Sequence, residues 1–139
     1  MDEEIVRQAG KSIPEIFANE GEAYFRELER QCLLELLPSE NQVVSCGGGI
    51  VTRPDNLRDL VAQPRSVCLR VSPETVFRRV GNDPRRPLLQ GADPLGKIRE
   101  LMQQRAPYYQ EFPHQIDVDK LKTKEVVRKI IDELGLRPL

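Results

Sequence analysis

Apolar residues recur at three- and four-residue steps along much of the chain, and most of these runs are closed by glycine or proline. Tyr24, Phe25, Leu28, Cys32, Leu33 and Leu36 form the clearest stripe. They predict a helix from about 22 to 37 with one buried face, ended by Pro38 and Ser39. Ahead of it, Ser12-Ile13-Pro14-Glu15 has the form of a capping box, in which the serine hydroxyl and the Glu15 carboxylate each take one free amide. A short helix through Phe17 and Ala18 follows and breaks near Gly21. At Gln42-Val43-Val44-Ser45-Cys46 the pattern becomes short and β-branched, which predicts a buried strand running into Gly47-Gly48-Gly49. Pro54-Asp55-Asn56 opens a helix to about 62, and 66–71 reads as a second strand. Ser72-Pro73-Glu74 caps a helix that sends Val76, Phe77 and Val80 inward. A helix over 94–108, a third strand at Ile116-Asp117-Val118 and a last helix complete the series. Thr123 caps that last helix, Val126, Val127, Ile130, Ile131 and Leu134 line it, and Gly135 stops it.

Strands alternating with helices imply an α/β fold, a parallel sheet with helices on its faces. No repeat or linker divides the chain, so 1–139 reads as a single domain. Between Gly81 and Pro94 the composition turns to Gly, Asn, Asp, Pro and Arg. A loop of that length inside a compact domain is usually functional, and 81–93 is read as a lid.

Charge and composition narrow the class. Hydrophobic residues are 39% and charged residues 31%, an ordinary globular balance, and the longest apolar runs are too short to cross a bilayer. The acidic start, Asp2-Glu3-Glu4, argues against a targeting peptide, so a soluble intracellular protein is expected. A net charge of -1 gives no reason to expect nucleic acid or anionic membrane as a partner. Cys32, Cys46 and Cys68 are widely spaced without any C-x-x-C pair, which favours buried free thiols over zinc or disulfides. His114, the lone histidine, is expected in a surface loop.

Several residues carry candidate chemistry. Gly47-Gly48-Gly49 lies beyond the end of a predicted strand, where parallel sheets bind ligands; it is either a binding turn or a tight connection. Arg26 and Glu29 share a helix face and read either as a solvated ion pair or as part of a site. Arg105 is anonymous by itself. Arg85-Arg86-Pro87-Leu88-Leu89 offers guanidinium forks to a phosphate or carboxylate, with a charged surface loop as the alternative.

The order of these segments resembles the shikimate kinase family. Asp2-Glu3-Glu4-Ile5 followed by Gly10-Lys11-Ser12-Ile13-Pro14-Glu15-Ile16-Phe17 is similar to its D-x-x-I and G-x-S-I-x-E-I-F. Gly21-Glu22-Ala23-Tyr24-Phe25-Arg26-Glu27-Leu28-Glu29 is similar to G-E-x-x-F-R-x-x-E, and Gly47 to Val51 to G-G-G-x-V. Arg86-Pro87-Leu88-Leu89 resembles the R-P-L-L of the lid, and Arg105 to Tyr109 the R-x-x-x-Y segment. The resemblance implies a three-layer sandwich of the P-loop, nucleoside monophosphate kinase type. It implies a monomer of the cytoplasm, or of a plastid in a plant, that moves the γ-phosphoryl group of ATP to the 3-hydroxyl of shikimate in aromatic amino acid biosynthesis. Mg2+ is the implied metal. By position, Asp2 would hold ring hydroxyls and help activate the attacking one. Arg26 and Arg105 would clamp the carboxylate, with Gly47, Gly48 and Gly49 against the ring. Arg86 would close with the lid over the transferring phosphate, Arg79 would lie near adenine, and Ser45 would hold a magnesium-bound water or else be a buried strand serine.

The phosphate-binding signature G-x-x-x-x-G-K-[ST] does not occur in the 139 residues. Gly10-Lys11-Ser12 is not that loop, because no glycine stands five positions before Gly10 and Ser12 is better used as a cap. The expectation is an N-terminally truncated kinase domain, missing the first two strands of a sheet ordered 2-3-1-4-5 and marginal in stability alone. The alternative is a kinase-derived shikimate-binding or regulatory protein without catalysis. A related kinase for another small acid, such as gluconate, is a third reading.

Overall fold

The computed structural model describes residues 1–137. It begins with an element that the apolar pattern does not announce: α1, Asp2–Ala9, buries only Ile5. Asp2, Glu3 and Glu4 occupy its first turn and Arg7 its last, each where the helix dipole favours that charge. α2, Ile13–Glu20, starts on the expected capping box. The Ser12 amide donates to the Glu15 carboxylate at 2.7 Å, and the Glu15 amide donates to the Ser12 hydroxyl at 3.3 Å. One residue, Gly21, joins it to α3, Glu22–Leu36. Its φ of 87° is a conformation open to glycine, and it lets the chain turn between two helices without a loop.

α3 is the spine of the core. Its Phe25 and Cys32 meet Ile5 and Ile16 in one apolar cluster. Leu33 joins Ile50, Val51, Leu57, Leu60 and Phe112 in a second. Tyr24, assigned to the buried stripe by spacing, is half exposed, since it stands one helical position round from Phe25.

The predicted strand Gln42–Cys46 is not a strand. Val43 is 99% exposed, and among the described residues the amides of this stretch find no backbone acceptor. An alternating sequence makes a strand only where another strand satisfies its backbone, and none does here. Ser45 and Cys46 are exposed in consequence, so the expectation of a buried thiol holds for Cys32, in part for Cys68, and not for Cys46.

α4, Pro54–Val61, follows the glycine turn. β1, Val67–Arg70, then leads into α5, Pro73–Val80, whose Ser72 cap accepts from the Thr75 amide. Only Thr75 of this helix is fully buried; Val76, Phe77 and Val80 are half-buried. α6, Pro94–Tyr109, is capped by Asp93. β2, His114–Asp117, pairs with β1 in parallel, from Val67 opposite His114 to Arg70 opposite Asp117. His114 thus begins a strand rather than lying in a loop, and its ring meets Glu133 at 3.0 Å and the Pro64 carbonyl at 3.2 Å. α7, Thr123–Glu133, starts one residue earlier than a Thr123 cap would allow; the Lys122 amide is taken by Glu125 at 2.7 Å. The result is an α/β architecture with a two-stranded parallel sheet among the described residues.

Because Leu33 is 2% exposed at the centre of the larger cluster, Leu33→Ala should lower unfolding free energy by about 3 kcal/mol. Leu34→Ala, at a half-exposed neighbour, should change it by less than about 0.5 kcal/mol. Urea midpoints of the two variants measure the difference.

Candidate functional site

Gly47-Gly48-Gly49 leads into a single 3₁₀ turn, Gly48–Thr52, that touches α3, α4 and α6. Three successive carbonyls of this turn are each held by a side chain. Tyr109 donates to Gly48 O at 2.7 Å, Thr52 to Gly49 O at 2.7 Å, and Asn56 to Ile50 O at 3.1 Å. Asn56 is fully buried, and its own oxygen accepts from Arg30, which is also paired with Asp59 at 2.6 Å. The amides of Gly48 and Gly49 have no acceptor among the described residues.

The absence of side chains on the turn is a steric requirement. A methyl group on Gly49 would fall 2.6 Å from Cζ of Arg26, and one on Gly48 would fall 3.0 Å from the Tyr109 hydroxyl and 3.6 Å from an Arg105 nitrogen. Arg26 and Arg105 therefore bring their guanidiniums to the same glycine backbone, one from α3 and one from α6. Arg105 and Tyr109 stand one helical turn apart on one face of α6, so a single helix presents both.

Arg26 is fixed by Glu29 at 2.9 Å and Glu22 at 3.3 Å, with its Cζ 5.3 Å from the Phe25 ring centroid. Its Nε is buried without any partner among the described residues. Buried donors are rarely left unmet, and those that are mark strain or a ligand's place. Glu29 is only 2% exposed, so the pair is not the solvated surface bridge its spacing first suggested. Burial raises the Glu29 pKa against the opposing charge and hydrogen bond of Arg26; Asp2 raises it further and Arg105 lowers it. One buried carboxylate thus feels Asp2, Arg26 and Arg105 together. Burial also pushes the Tyr109 phenol upward, while Arg105 beside it pulls the other way.

Other candidates lie elsewhere. Arg85 is committed to Asp83, bonded at 2.9 and 3.0 Å, and holds that carboxyl down at about 2. Arg86 is exposed at the start of a short turn, Pro87–Leu89, and has no side-chain partner among the described residues. Gln90 ties the loop internally by donating to the carbonyls of Asp83 and Arg86. Arg79 lines a shallow open hollow with Leu69, Val118, Leu121, Lys122 and Thr123. Ser45 is exposed, and its carbonyl accepts from the Met1 nitrogen at 3.1 Å. No three His, Cys, Asp or Glu side chains cluster among the described residues. Nor, among these residues, is any helix long and apolar enough to cross a membrane.

Sequence reasoning weighed Glu29 only as the partner of Arg26 and met Tyr109 only inside the R-x-x-x-Y segment, and it assigned nothing to Thr52 or Asn56. Glu29 and Tyr109 carried a signal, at i+3 from Arg26 and i+4 from Arg105; Thr52 and Asn56 carried none.

A parallel α/β chain with this connectivity belongs to the P-loop kinase fold class, as its structural matches bear out. The shikimate kinase family model matches residues 1–135. A shikimate kinase of Thermodesulfovibrio yellowstonii is 38% identical over 133 residues, 96% of this chain and 77% of that protein. One from Paracidovorax citrulli is 44% identical over 115 residues, 81% of this chain and 63% of that protein. Among solved structures, shikimate kinase from Acinetobacter baumannii in complex with shikimate superposes with a TM-score of 0.87 at 33% identity, covering 94% of this chain and 74% of that one. The kinase from Bacteroides thetaiotaomicron gives 0.78 at 33% identity, covering 96% and 78%. The chain belongs to the shikimate kinase family.

The buried carboxylate gives a pH signature. An acid whose pKa is higher in the folded than in the unfolded state binds more protons when folded. Its contribution to stability is therefore best below the ordinary carboxylate value near 4.5 and declines as pH rises through the raised one. Glu4 and Asp83, both held at about 2 by arginine hydrogen bonds, act in the opposite sense and lose their contribution only as pH falls toward that value. Glu29→Gln should flatten the decline above the ordinary carboxylate range without altering the loss at low pH. Thermal midpoints of both proteins across that decline provide the check.

Proposed function

We propose that this chain supplies the acid-binding and lid portions of a shikimate 3-phosphotransferase. The observation that carries the reading is the pair of guanidiniums, Arg26 with an unmet buried Nε and Arg105 beside it, converging on a glycine turn whose amides are free. A planar carboxylate suits two arginine forks, and ring hydroxyls suit backbone amides plus a short carboxylate acceptor, the part taken by Asp2. Shikimate, present in the A. baumannii complex, has that combination of groups.

In this reading Asp2 orients the 3-hydroxyl and takes its proton as the oxygen bonds to phosphorus. Arg86, without a side-chain partner among the described residues, neutralises the moving phosphoryl group from the 81–93 loop, while Arg85 is already committed to Asp83. The hollow between Arg79 and Leu121-Lys122-Thr123 has an apolar floor and two cations, which fits an adenine ring and its ribose side. Bound ATP supplies the phosphoryl group and leaves as ADP. Phosphoryl transfer depends chiefly on positioning and charge neutralisation, and a cradle for the β- and γ-phosphates is the part that these 139 residues do not contain as a sequence motif. That same observation favours a second reading, a shikimate-binding protein that transfers nothing. Residues 1–139 are taken as a single kinase-like domain in both.

Titration calorimetry with shikimate is the first test. The chain should bind it, and Arg105→Ala should weaken binding by about 30-fold or more, since a charge-assisted pair is lost. Absence of shikimate binding by the intact chain overturns both readings. A coupled assay for ADP release then separates them: turnover by this chain, or by one extended upstream with a phosphate-binding loop, supports the transferase. Binding without turnover in either form supports the second reading.

A further inference from the structure

We infer that Tyr109 is the positioning residue of the acid-binding site, its hydroxyl holding the Gly48 carbonyl so that the Gly49 amide and the Arg105 guanidinium meet the same ligand. The inference deepens the shikimate-binding reading and rests on it for the ligand, though not for the geometry.

The hydroxyl lies 2.7 Å from the Gly48 carbonyl oxygen, across 61 residues of sequence. Of the three side chains that hold this turn, Thr52 is part of the turn itself and Asn56 belongs to the helix that follows directly. Tyr109 alone reaches it from α6, the helix that also carries Arg105. The bond therefore sets the distance between the two halves of the site. A peptide plane has its carbonyl and amide on opposite sides, so fixing a carbonyl also fixes where the neighbouring amide points. With Gly48 O committed to Tyr109, the Gly49 amide in the same peptide plane is held on the other side. Glycine has the widest backbone freedom of any residue, and three in succession would otherwise leave these donors unaimed. Preorganised donors gain affinity by removing the ordering cost of binding.

The phenol is well placed for this task and poorly placed to be a surface group. It is half-buried, its pKa is raised by that burial, and it stands beside Arg105. Tyr108, its neighbour in sequence, points to the exposed side and makes no comparable bond among the described residues. Tyr108 is therefore the internal control.

The test uses the full 139-residue chain labelled with nitrogen-15, as wild type, Tyr109→Phe and Tyr108→Phe, titrated with shikimate while the Gly48 and Gly49 amide signals are followed. Loss of one positioning hydrogen bond should weaken shikimate binding about tenfold in Tyr109→Phe, with the rest of the spectrum unchanged. Tyr108→Phe should bind as the wild type does. Equal affinity of Tyr109→Phe and wild type overturns the inference. If the wild type itself binds no shikimate, the functional reading fails separately, and amide hydrogen exchange decides the geometry. Exchange at Ile50, whose amide donates to the Gly47 carbonyl at 3.2 Å, about tenfold faster in Tyr109→Phe supports the latch, and unchanged exchange overturns it. Should Tyr109→Phe not fold, replacing tyrosine by 3-fluorotyrosine gives a second variant. Its more acidic phenol ionises at lower pH and can then no longer donate, so the same signals should lose order at a pH about one unit lower than in the unfluorinated chain. No displacement of that pH also overturns the inference.

Discussion

The backbone of Gly49 lies so close to the guanidinium of Arg26 that a single methyl group could not be placed between them. That approach is the constraint on which the site depends. It requires a residue without a side chain on the turn, and it requires α3 to bring its Arg26 face to that turn rather than to water. The helix meets the second demand by burying Phe25, Cys32 and Leu33 in two apolar clusters, which fixes its rotation. Burial of a few apolar side chains thereby determines where a charge stands, because side chains one turn apart on a helix move together.

Glu29 shows how that charge is held without being cancelled. The carboxylate engages one terminal nitrogen of Arg26, and Glu22 engages the other, while Nε stays unmet. Burial raises the pKa of Glu29, while the charge and hydrogen bond of Arg26 oppose that rise. Arg26 is thus oriented by two carboxylates yet keeps one donor unmet among the described residues, the donor that the proposed reading gives to a ligand carboxylate. Arginine suits this arrangement better than lysine, since its fork can serve Glu29 on one edge and a ligand on another. Arg105 adds the second cation from a different helix, so charge convergence does not depend on α3 alone.

How much of this was legible depended on whether the information was local. The Ser12 to Glu15 capping box, the single-glycine hinge at Gly21 and the extents of α3, α4 and α6 follow from contacts within a few residues, and sequence pattern located all of them. The Gln42–Cys46 strand failed for the complementary reason. Its composition describes a residue run able to enter a sheet, whereas a strand exists only where a second backbone answers it, and that is a tertiary fact. α1 was missed because eight mostly charged residues with one buried isoleucine leave no stripe to detect. In the site, Arg26, Arg105 and the glycines were found through motif order, but the clamps were not. Nothing in the sequence around Thr52 or Asn56 distinguishes a side chain that holds a carbonyl from one that faces water. Tyr109 was visible only as part of a motif, because the bond that gives it meaning spans 61 residues.

The unpaired stretch before the glycines also explains what holds the turn. In a parallel sheet, the loop after a strand is usually positioned by the strand's own ladder. Here Gln42–Cys46 has no ladder, yet the turn that follows is held at three consecutive carbonyls and packed against a guanidinium. Its anchors are α3, α4 and α6, not the sheet. Among the described residues the glycine turn is therefore mounted on helices rather than on a strand ladder. The hollow at Arg79 differs: it is lined by Leu69 of β1 and by Val118, whose amide extends the β1–β2 pairing through the Arg70 carbonyl. Disturbing the sheet should thus reach the Arg79 hollow first and the glycine turn last, since only the former is built from the residues that pair.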